Sequence, residues 1–336
     1  MITYPSNQSI IITRTPLRIS LGGGGTDLKS YYEKRGGFFI SAAINKYIYI
    51  TLHDTFEDGL IIKYSKMEKV ARVSEIQNDI IRESLKLHQL DNRIEINSIA
   101  NIPSGTGLGS SGSFGVGLLK AIYAKKRMPV SQLQLAEEST RIQADILKRP
   151  IGKQDQYIAA FGGITCFEVD KKGNTTVTPL RINHETLHKL EDNLIMFFTG
   201  FSRSADTLLK DQHDRSKNSK SDMIKNLDFT KKLGYESKEA LESGDLRRFG
   251  ELMHVHWEHK RERSKGMTNP DIDRWYNLAR KNGAVGGKLI GAGGGGFLMF
   301  YTENTERLRI AMRKEGLREV RFKFDFEGSK VMVQEE

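Results

Sequence analysis

Residues 103–112 read Pro-Ser-Gly-Thr-Gly-Leu-Gly-Ser-Ser-Gly, and the fold turns on what such a loop can do. Ahead of it, residues 93–98 alternate Ile94 and Ile96 with charged and polar neighbours, as a half-buried strand does. Behind it, residues 114–126 read as a helix. Close-spaced glycines let backbone N–H groups converge without Cβ clashes, and a helix N-terminus adds partial positive charge. A di- or triphosphate suits that geometry, and a serine hydroxyl in the same place can ligate Mg²⁺. Taken alone, the segment also reads as a glycine-rich turn that packs a helix.

Three other readings of the loop fail. Residues 107–112 satisfy G-x-G-x-x-G as a string, but a dinucleotide site needs a buried strand running into the first glycine and an acid about 20 residues on. Here Pro103 intervenes, position 127 is Arg127, and the next acid is Glu137. The string G-x-x-x-x-G-K-[ST] is absent, because Lys288 after Gly287 is followed by Leu289. The G-x-S-x-G elbow of a serine hydrolase is absent too.

Working outward, residues 10–20 alternate as a strand, the glycines 22–25 break it, and Thr26-Asp27 can cap a short helix over 28–34. Residues 38–44, 47–52 and 60–64 are β-rich, 74–90 reads as a helix, and 131–147 reads as a second one with Ser131 at its N-cap. Strands are expected at 164–169 and 177–180. A second lobe begins near residue 190, with a buried strand at 193–198 and a mostly helical stretch at 202–265. In that stretch Leu246, Phe249, Leu252, Met253 and Trp257 mark one apolar face. A helix at 272–282, a strand, glycine loop and strand over 286–301, a helix at 307–315 and a last strand at 318–326 complete the chain. The expectation is an α+β fold of two lobes, residues 1–188 and 189–336.

Composition narrows the function. The chain has 336 residues, a net charge of +10, one cysteine and 38% hydrophobic residues, with a mean hydropathy of −0.47. Cys166 alone cannot form an intramolecular disulfide and fits a reducing compartment. No apolar run approaches the roughly 18–20 residues that span a bilayer, and no secretory segment opens the sequence, so a cytoplasmic protein without membrane association is expected. The lysine-rich stretch 203–265 carries 15 basic and 12 acidic residues. Its charges nearly cancel, which reads as a solvated helical face rather than a nucleic-acid track. His254, His256 and His259 lack a third ligand or an H-E-x-x-H pattern, so packing or substrate contact is expected of them, not zinc.

The loop at 103–112 resembles the phosphate motif of the GHMP kinases, P-x-x-x-G-L-G-S-S-A, with Gly112 in place of the alanine. Residues 15–27, Thr-Pro-Leu-Arg-Ile-Ser-Leu-Gly-Gly-Gly-Gly-Thr-Asp, resemble the family's first motif, and residues 286–297 its third. The resemblance implies a two-lobed kinase, its N-terminal lobe like ribosomal protein S5 and its C-terminal lobe ferredoxin-like, that uses ATP and Mg²⁺. It places the ATP phosphates on Pro103, Gly105, Gly107, Leu108, Gly109, Ser110, Ser111 and Gly112. It makes Asp155 the catalytic base with Arg18 beside it, and Asp27 a ligand of sugar hydroxyls. Mg²⁺ is implied at Ser111 and an acidic residue on the helix before Asp155; Asp145 is the candidate and Glu138 the fallback, because Gln143 stands where relatives carry an acid. By the same analogy residues 54–69 line the nucleotide pocket.

The departures point to the acceptor. Galactokinases carry Glu-His where this chain has Gly24 and Gly25, so galactose is a poor fit and a bulkier or phosphorylated sugar a better one. Residues 152–157, 288–297 and His256-Trp257 look most like the branch that phosphorylates D-glycero-D-manno-heptose 7-phosphate. That likeness implies transfer to the C1 hydroxyl, giving the 1,7-bisphosphate on the route to a GDP-activated heptose. Substrate contacts are expected from Arg14, Gly23, Gly24, Gly25, Asp27, Lys153, Lys288, Gly293 and Gly294, with Lys153, Lys288 and Arg203 as partners for the distal phosphate. An L-fucose-type 1-kinase and a non-catalytic sugar or ATP sensor are the alternatives.

Overall fold

The computed structural model describes residues 9–200, 206–217, 221–264, 266–291 and 293–335. The first half runs β1 (Ile10–Gly22), α1 (Lys29–Arg35), β2 (Gly37–Asp54), β3 (Leu60–Lys63), β4 (Met67–Val70), α2 (Asp79–His88), β5 (Ile94–Ala100), α3 (Ser110–Lys125), α4 (Gln132–Thr140), α5 (Gln154–Phe161), β6 (Ile164–Val169) and β7 (Thr175–Pro179). The second half runs α6 (His184–Asn193), β8 (Leu194–Phe198), α7 (Asp206–Lys217), α8 (Ser221–Ser243), α9 (Leu246–Arg261), α10 (Pro270–Lys281), β9 (Ala284–Leu289), β10 (Phe297–Thr302), α11 (Thr305–Lys314), β11 (Arg318–Glu319) and β12 (Lys330–Glu335).

Two apolar stretches read separately, 38–44 and 47–52, fuse into the single long strand β2. Its first half pairs with β6 and its second half with β5, so one strand joins two arms of the same sheet. The sheet order is β12-β1-β2-β5-β3-β4, with β6 and β7 branching from β2. A smaller sheet, β11-β8-β10-β9, forms the second lobe. The expected last strand at 318–326 shrinks to Arg318–Glu319, and the chain ends instead with β12, which returns to pair antiparallel with β1. A division at residue 188/189 is therefore crossed by the chain's own last strand.

One core is shared between the lobes. Leu17, Ile19 and Ile40 of the large sheet pack with Leu233 and Leu241 of α8 and Phe249 and Met253 of α9. Helix α8 lies against β1 and β2, where a Cβ on Gly234 would stand 2.9 Å from the Phe38 ring and 3.2 Å from Gly23. A second cluster joins α3, α4 and α5 to Phe39 and Phe167, and a third joins α10 and α11 to the small sheet. Burying large side chains on this scale is the main force holding the lobes together.

Helix ends differ from the sequence pattern in ways that matter for the cavity between the lobes. The helix read at 74–90 divides into a 3₁₀ turn, Val73–Glu75, and α2, whose N-cap Asn78 accepts from Ile81 N–H at 3.1 Å. The helix read at 131–147 is capped as expected, with Ser131 Oγ accepting from Gln134 N–H at 3.1 Å, but it widens into a π turn over Arg141–Ile146. Helix α3 starts at Ser110, four residues earlier than the pattern suggests, behind Gly109 in the left-handed region (φ 77°). No side chain caps it, so its first N–H groups are open to a ligand.

Candidate active site

A cavity of about 1000 Å³ opens between the lobes, walled by the loop from Ile102 to Ser111, the inner end of β1, the start of α5 and the first residues after β9. The central loop owes its shape to a close backbone approach. Gly107 has φ +85°, and a Cβ there would meet Ile290 O at 2.5 Å, so the second and third glycine runs lie backbone to backbone. Tyr64 and Ser65, from the 54–69 segment, line the cavity together with Ile48 and Phe114.

Arg18 and Asp155 meet where these walls converge. Arg18 is buried; its Nε donates to Asp155 Oδ1 at 2.8 Å, its Nη2 pairs with the same oxygen at 2.7 Å, and Nη1 donates to Gly107 O. One guanidinium thus ties β1, the phosphate loop and α5 together. Asp155 lies in the first turn of α5, where the helix dipole favours a carboxylate. Gly112 makes the approach of α5 to α3 possible: a Cβ there would lie 2.5 Å from Asp155 Cβ and 3.0 Å from Gln156 N. The exchange of the motif's alanine for glycine is therefore built into the packing.

Asp27 is buried beside this pair. Its Oδ2 accepts from Gln154 N–H at 3.0 Å and its Oδ1 from Gly25 N–H at 3.1 Å. Burial pushes its carboxyl above the usual range; the Gln154 N–H opposes that rise and the charge of Asp155 adds to it. Gly24, Gly25 and Gly293 line the cavity, as do Pro103, Gly105, Gly109, Ser110 and Ser111. Leu108 is buried behind the loop, Gly23 packs against Phe38 O, and Gly294 donates to Met267 O at 2.9 Å.

Several expected residues stand elsewhere. Arg14 pairs with Asp325 and Glu327 and stacks on the Tyr47 ring, 4.3 Å from its centroid, at the outer end of β1. Lys153 turns away from the cavity to donate to Gly173 O at 2.5 Å between the Tyr32 and Tyr157 rings. Arg203 lies outside the described residues. Lys288 is in the wall as expected.

The acidic metal ligand is also misplaced. Asp145 is half-exposed and pairs with Lys29 Nζ at 3.4 Å, and Glu138 is held by His88 Nε2 and the Tyr123 hydroxyl, both at 2.6 Å. What touches Ser111 is neutral or cationic. Its Oγ donates to Gln143 Oε1 at 2.8 Å, and Arg149 Nη1 donates to it at 3.2 Å while Nη2 holds Asp79 at 2.7 and 2.9 Å. Mg²⁺ in phosphoryl-transfer sites takes one or two carboxylates along with substrate phosphates. Among the described residues no carboxylate reaches Ser111, so the donor set does not fit a carboxylate-held magnesium ion.

Two functional candidates, Lys260 and Arg263, went unread in the sequence, and His256 was read there only as a packing or substrate-contact residue. His256, Lys260 and Arg263 are buried and line the cavity beside Lys288. Lys260 Nζ donates to Leu289 O at 2.8 Å and Gly291 O at 2.6 Å. Arg263 donates to Asn226 Oδ1, Gly24 O and Thr230 Oγ1, and Lys288 to Leu21 O at 3.1 Å. Burial pushes Lys288 down to about 7, with the charges of Arg263 and Arg18 adding, and pushes Arg263 down to about 10. Burial likewise drives Lys260 and His256 well below their ordinary values. A signal was present: Phe249, Met253, His256 and Lys260 follow i, i+4, i+7, i+11 on one stripe of α9, an apolar face that turns cationic at its end.

Comparison with known proteins follows the same lines. The family described as GHMP kinases N terminal domain matches residues 70–163, and the one described as GHMP kinases C terminal matches residues 237–316. The chain is 32% identical to the D-glycero-alpha-D-manno-heptose 7-phosphate kinase of Campylobacter jejuni, over 95% of this chain and 98% of that one. It is 24% identical to the L-fucokinase/L-fucose-1-P guanylyltransferase of Bacteroides fragilis, over 89% of this chain and 35% of that one. The crystal structure of a D-glycero-D-manno-heptose 1-phosphate kinase from Bacteroides thetaiotaomicron superposes with a TM-score of 0.79 at 24% identity, covering 96% of this chain and 99% of that one.

Proposed function

The chain belongs to the GHMP kinase family, and from that premise we propose that it transfers the γ-phosphate of ATP to the C1 hydroxyl of D-glycero-D-manno-heptose 7-phosphate. That it is a phosphotransferase acting on a sugar hydroxyl follows from the family and the heptose-phosphate relative. The observation that carries the finer reading is Asp155 in the cavity wall, held through one carboxylate oxygen by Arg18 next to the glycine loop.

Phosphoryl transfer is mostly positioning and charge stabilisation. In the proposed reaction the uncapped start of α3 and the N–H groups of Gly105 to Ser111 receive the donor's phosphates. Asp155 Oδ2 accepts the proton of the C1 hydroxyl as its oxygen bonds to the γ-phosphorus and the bond to the ADP oxygen breaks. Arg18 holds Asp155 in place through Oδ1 and spreads the negative charge that develops. Asp27 and the backbone N–H of Gly24 orient sugar hydroxyls. Magnesium, the usual companion of ATP in such reactions, finds no carboxylate bonded to the Ser111 hydroxyl among the described residues.

The product, a sugar 1,7-bisphosphate, would feed synthesis of a GDP-activated heptose, and the lone buried Cys166 suits a cytoplasmic setting. The fucokinase relative supports an L-fucose-type acceptor as the second reading. ATP-dependent ADP release across D-glycero-D-manno-heptose 7-phosphate, sedoheptulose 7-phosphate, mannose 6-phosphate, mannose, L-fucose and galactose separates the two. Turnover confined to the heptose phosphate supports the proposal; turnover on free L-fucose alone overturns it.

A further inference from the structure

Lys260, Arg263 and Lys288 are each at most 7% exposed, and all three line the cavity. Their hydrogen bonds go to backbone carbonyls, an amide, a hydroxyl and an imidazole, and among the described residues no carboxylate bonds to any of them. Asp27 partly offsets the charge of Arg263, yet buried cations that outnumber their counter-charges cost a fold stability, so a cluster of them in a cavity wall is a place prepared for an anion. His256 adds an independent sign. Its Nδ1 stands 3.4 Å from Lys288 Nζ; when that amine is protonated Nδ1 is its acceptor and the ring's hydrogen falls on Nε2, which is buried without a partner among the described residues. A buried N–H donor left unmade is expensive, and an anionic oxygen would complete it.

We propose that Lys288, Arg263 and His256, with Lys260 between them and the nucleotide loop, hold the phosphate that the acceptor sugar already carries. This deepens the reading of the chain as a sugar-phosphate kinase and rests on it. Position assigns the nest to the acceptor rather than to ATP. Lys288 and Arg263 are anchored on Leu21 O and Gly24 O, on the first glycine run beside Asp27, whereas the donor's phosphates have their own cradle at Gly105 to Ser111. Lys260 is the boundary member, bonded to Gly291 O where that residue abuts Gly107. The nest also provides selectivity, because an unphosphorylated sugar would bring no anion to these buried basic groups.

The test compares wild type with Lys288→Met, close in volume but uncharged, by ADP release with D-glycero-D-manno-heptose 7-phosphate and mannose 6-phosphate, and by melting with and without the sugar phosphate. The expected result is a rise of about 30-fold or more in KM for the sugar phosphate, the scale of truncating one partner of a buried charge pair. KM for ATP should move by less than about 3-fold. The free variant should melt higher than wild type, because an uncompensated charge is gone, and should lose the stabilisation that the sugar phosphate confers. Lys288→Gln, which keeps a donor for Leu21 O and removes the charge, should lose sugar-phosphate affinity as well. Equal effects on both KM values, or a folded Lys288→Gln with wild-type affinity, would overturn the assignment. If wild type uses mannose 6-phosphate but not the heptose, the substrate reading fails while the nest stands. If wild type uses the heptose phosphate and neither variant differs from it, the nest alone fails.

Discussion

Both contacts that Arg18 makes with Asp155 land on one oxygen, Oδ1, from Nε at 2.8 Å and from Nη2 at 2.7 Å. Oδ2 is left without a protein partner among the described residues, in a carboxylate that lines the cavity. Such a carboxylate is braced at one oxygen and available as a base at the other. Asp155→Asn should therefore stay folded, since the amide oxygen can still accept from Arg18, and should lose about 10²- to 10⁴-fold in kcat, the usual worth of a positioned base. Steady-state ADP release together with circular dichroism checks this. A kcat within a few-fold of wild type would remove Asp155 from proton transfer.

Gly112→Ala tests how tightly α3 and α5 are coupled. The added Cβ would stand 2.5 Å from Asp155 Cβ and 2.9 Å from its carbonyl carbon, so the start of α5 must shift. Overpacking of this kind costs about 1–3 kcal/mol, and the shift moves the carboxylate that the first variant deletes. Expected are a lower midpoint in denaturant unfolding and a kcat reduced more than KM for ATP changes. An alanine variant with wild-type stability and rate would show that the two helices separate without cost.

Much of this site was legible because glycines and charged residues leave a local signature. The glycine runs at 22–25, 105–112 and 293–296 each break a strand or open a helix, and all three meet in the cavity. The capping serine, Ser131, was readable for the same local reason. Long-range pairing was not. Nothing near Lys330 announces that β12 crosses to β1, since an exposed edge strand carries only a weak alternation. The turn of Lys153 toward Gly173 depends on the β6–β7 hairpin, and the placement of Asp145 depends on a π turn that shifts residue phase by one position.

Burial of Lys288 makes stability depend on pH in a defined sense. Its folded value of about 7 lies below its ordinary 10.5. Between those pH values the unfolded chain binds more protons than the native one, so stability of the unliganded protein should rise with pH across that window. Lys288→Met should reduce the rise, leaving the part contributed by Lys260, which burial also lowers. Urea unfolding at pH 7, 8 and 9 measures both slopes. Identical slopes in the two proteins would mean that Lys288 remains protonated in the fold. Bound sugar phosphate should flatten the trend, because the dianion restores the ammonium and leaves the folded and unfolded chains equally protonated at this group.

The wall around Ser111 makes the last case. Gln143 occupies the position facing the hydroxyl, with Oε1 accepting from Ser111 Oγ at 2.8 Å and Nε2 donating to Ser139 Oγ at 3.2 Å and Ser111 O at 3.4 Å. Gln143→Glu keeps the shape and places a carboxylate against Ser111 and within reach of the Arg149 guanidinium, which already bonds to that hydroxyl. Divalent cations should bind the ADP complex roughly tenfold more tightly in the variant, the size of one added charge-assisted contact. Water-proton relaxation with Mn²⁺ reads this directly, without turnover. The free variant should lose about 1–3 kcal/mol, because Ser139 and Ser111 O surrender their donor and a charge is buried. Unchanged Mn²⁺ affinity would place the cation away from Ser111 and leave Gln143 as a packing residue that braces the first turn of α3.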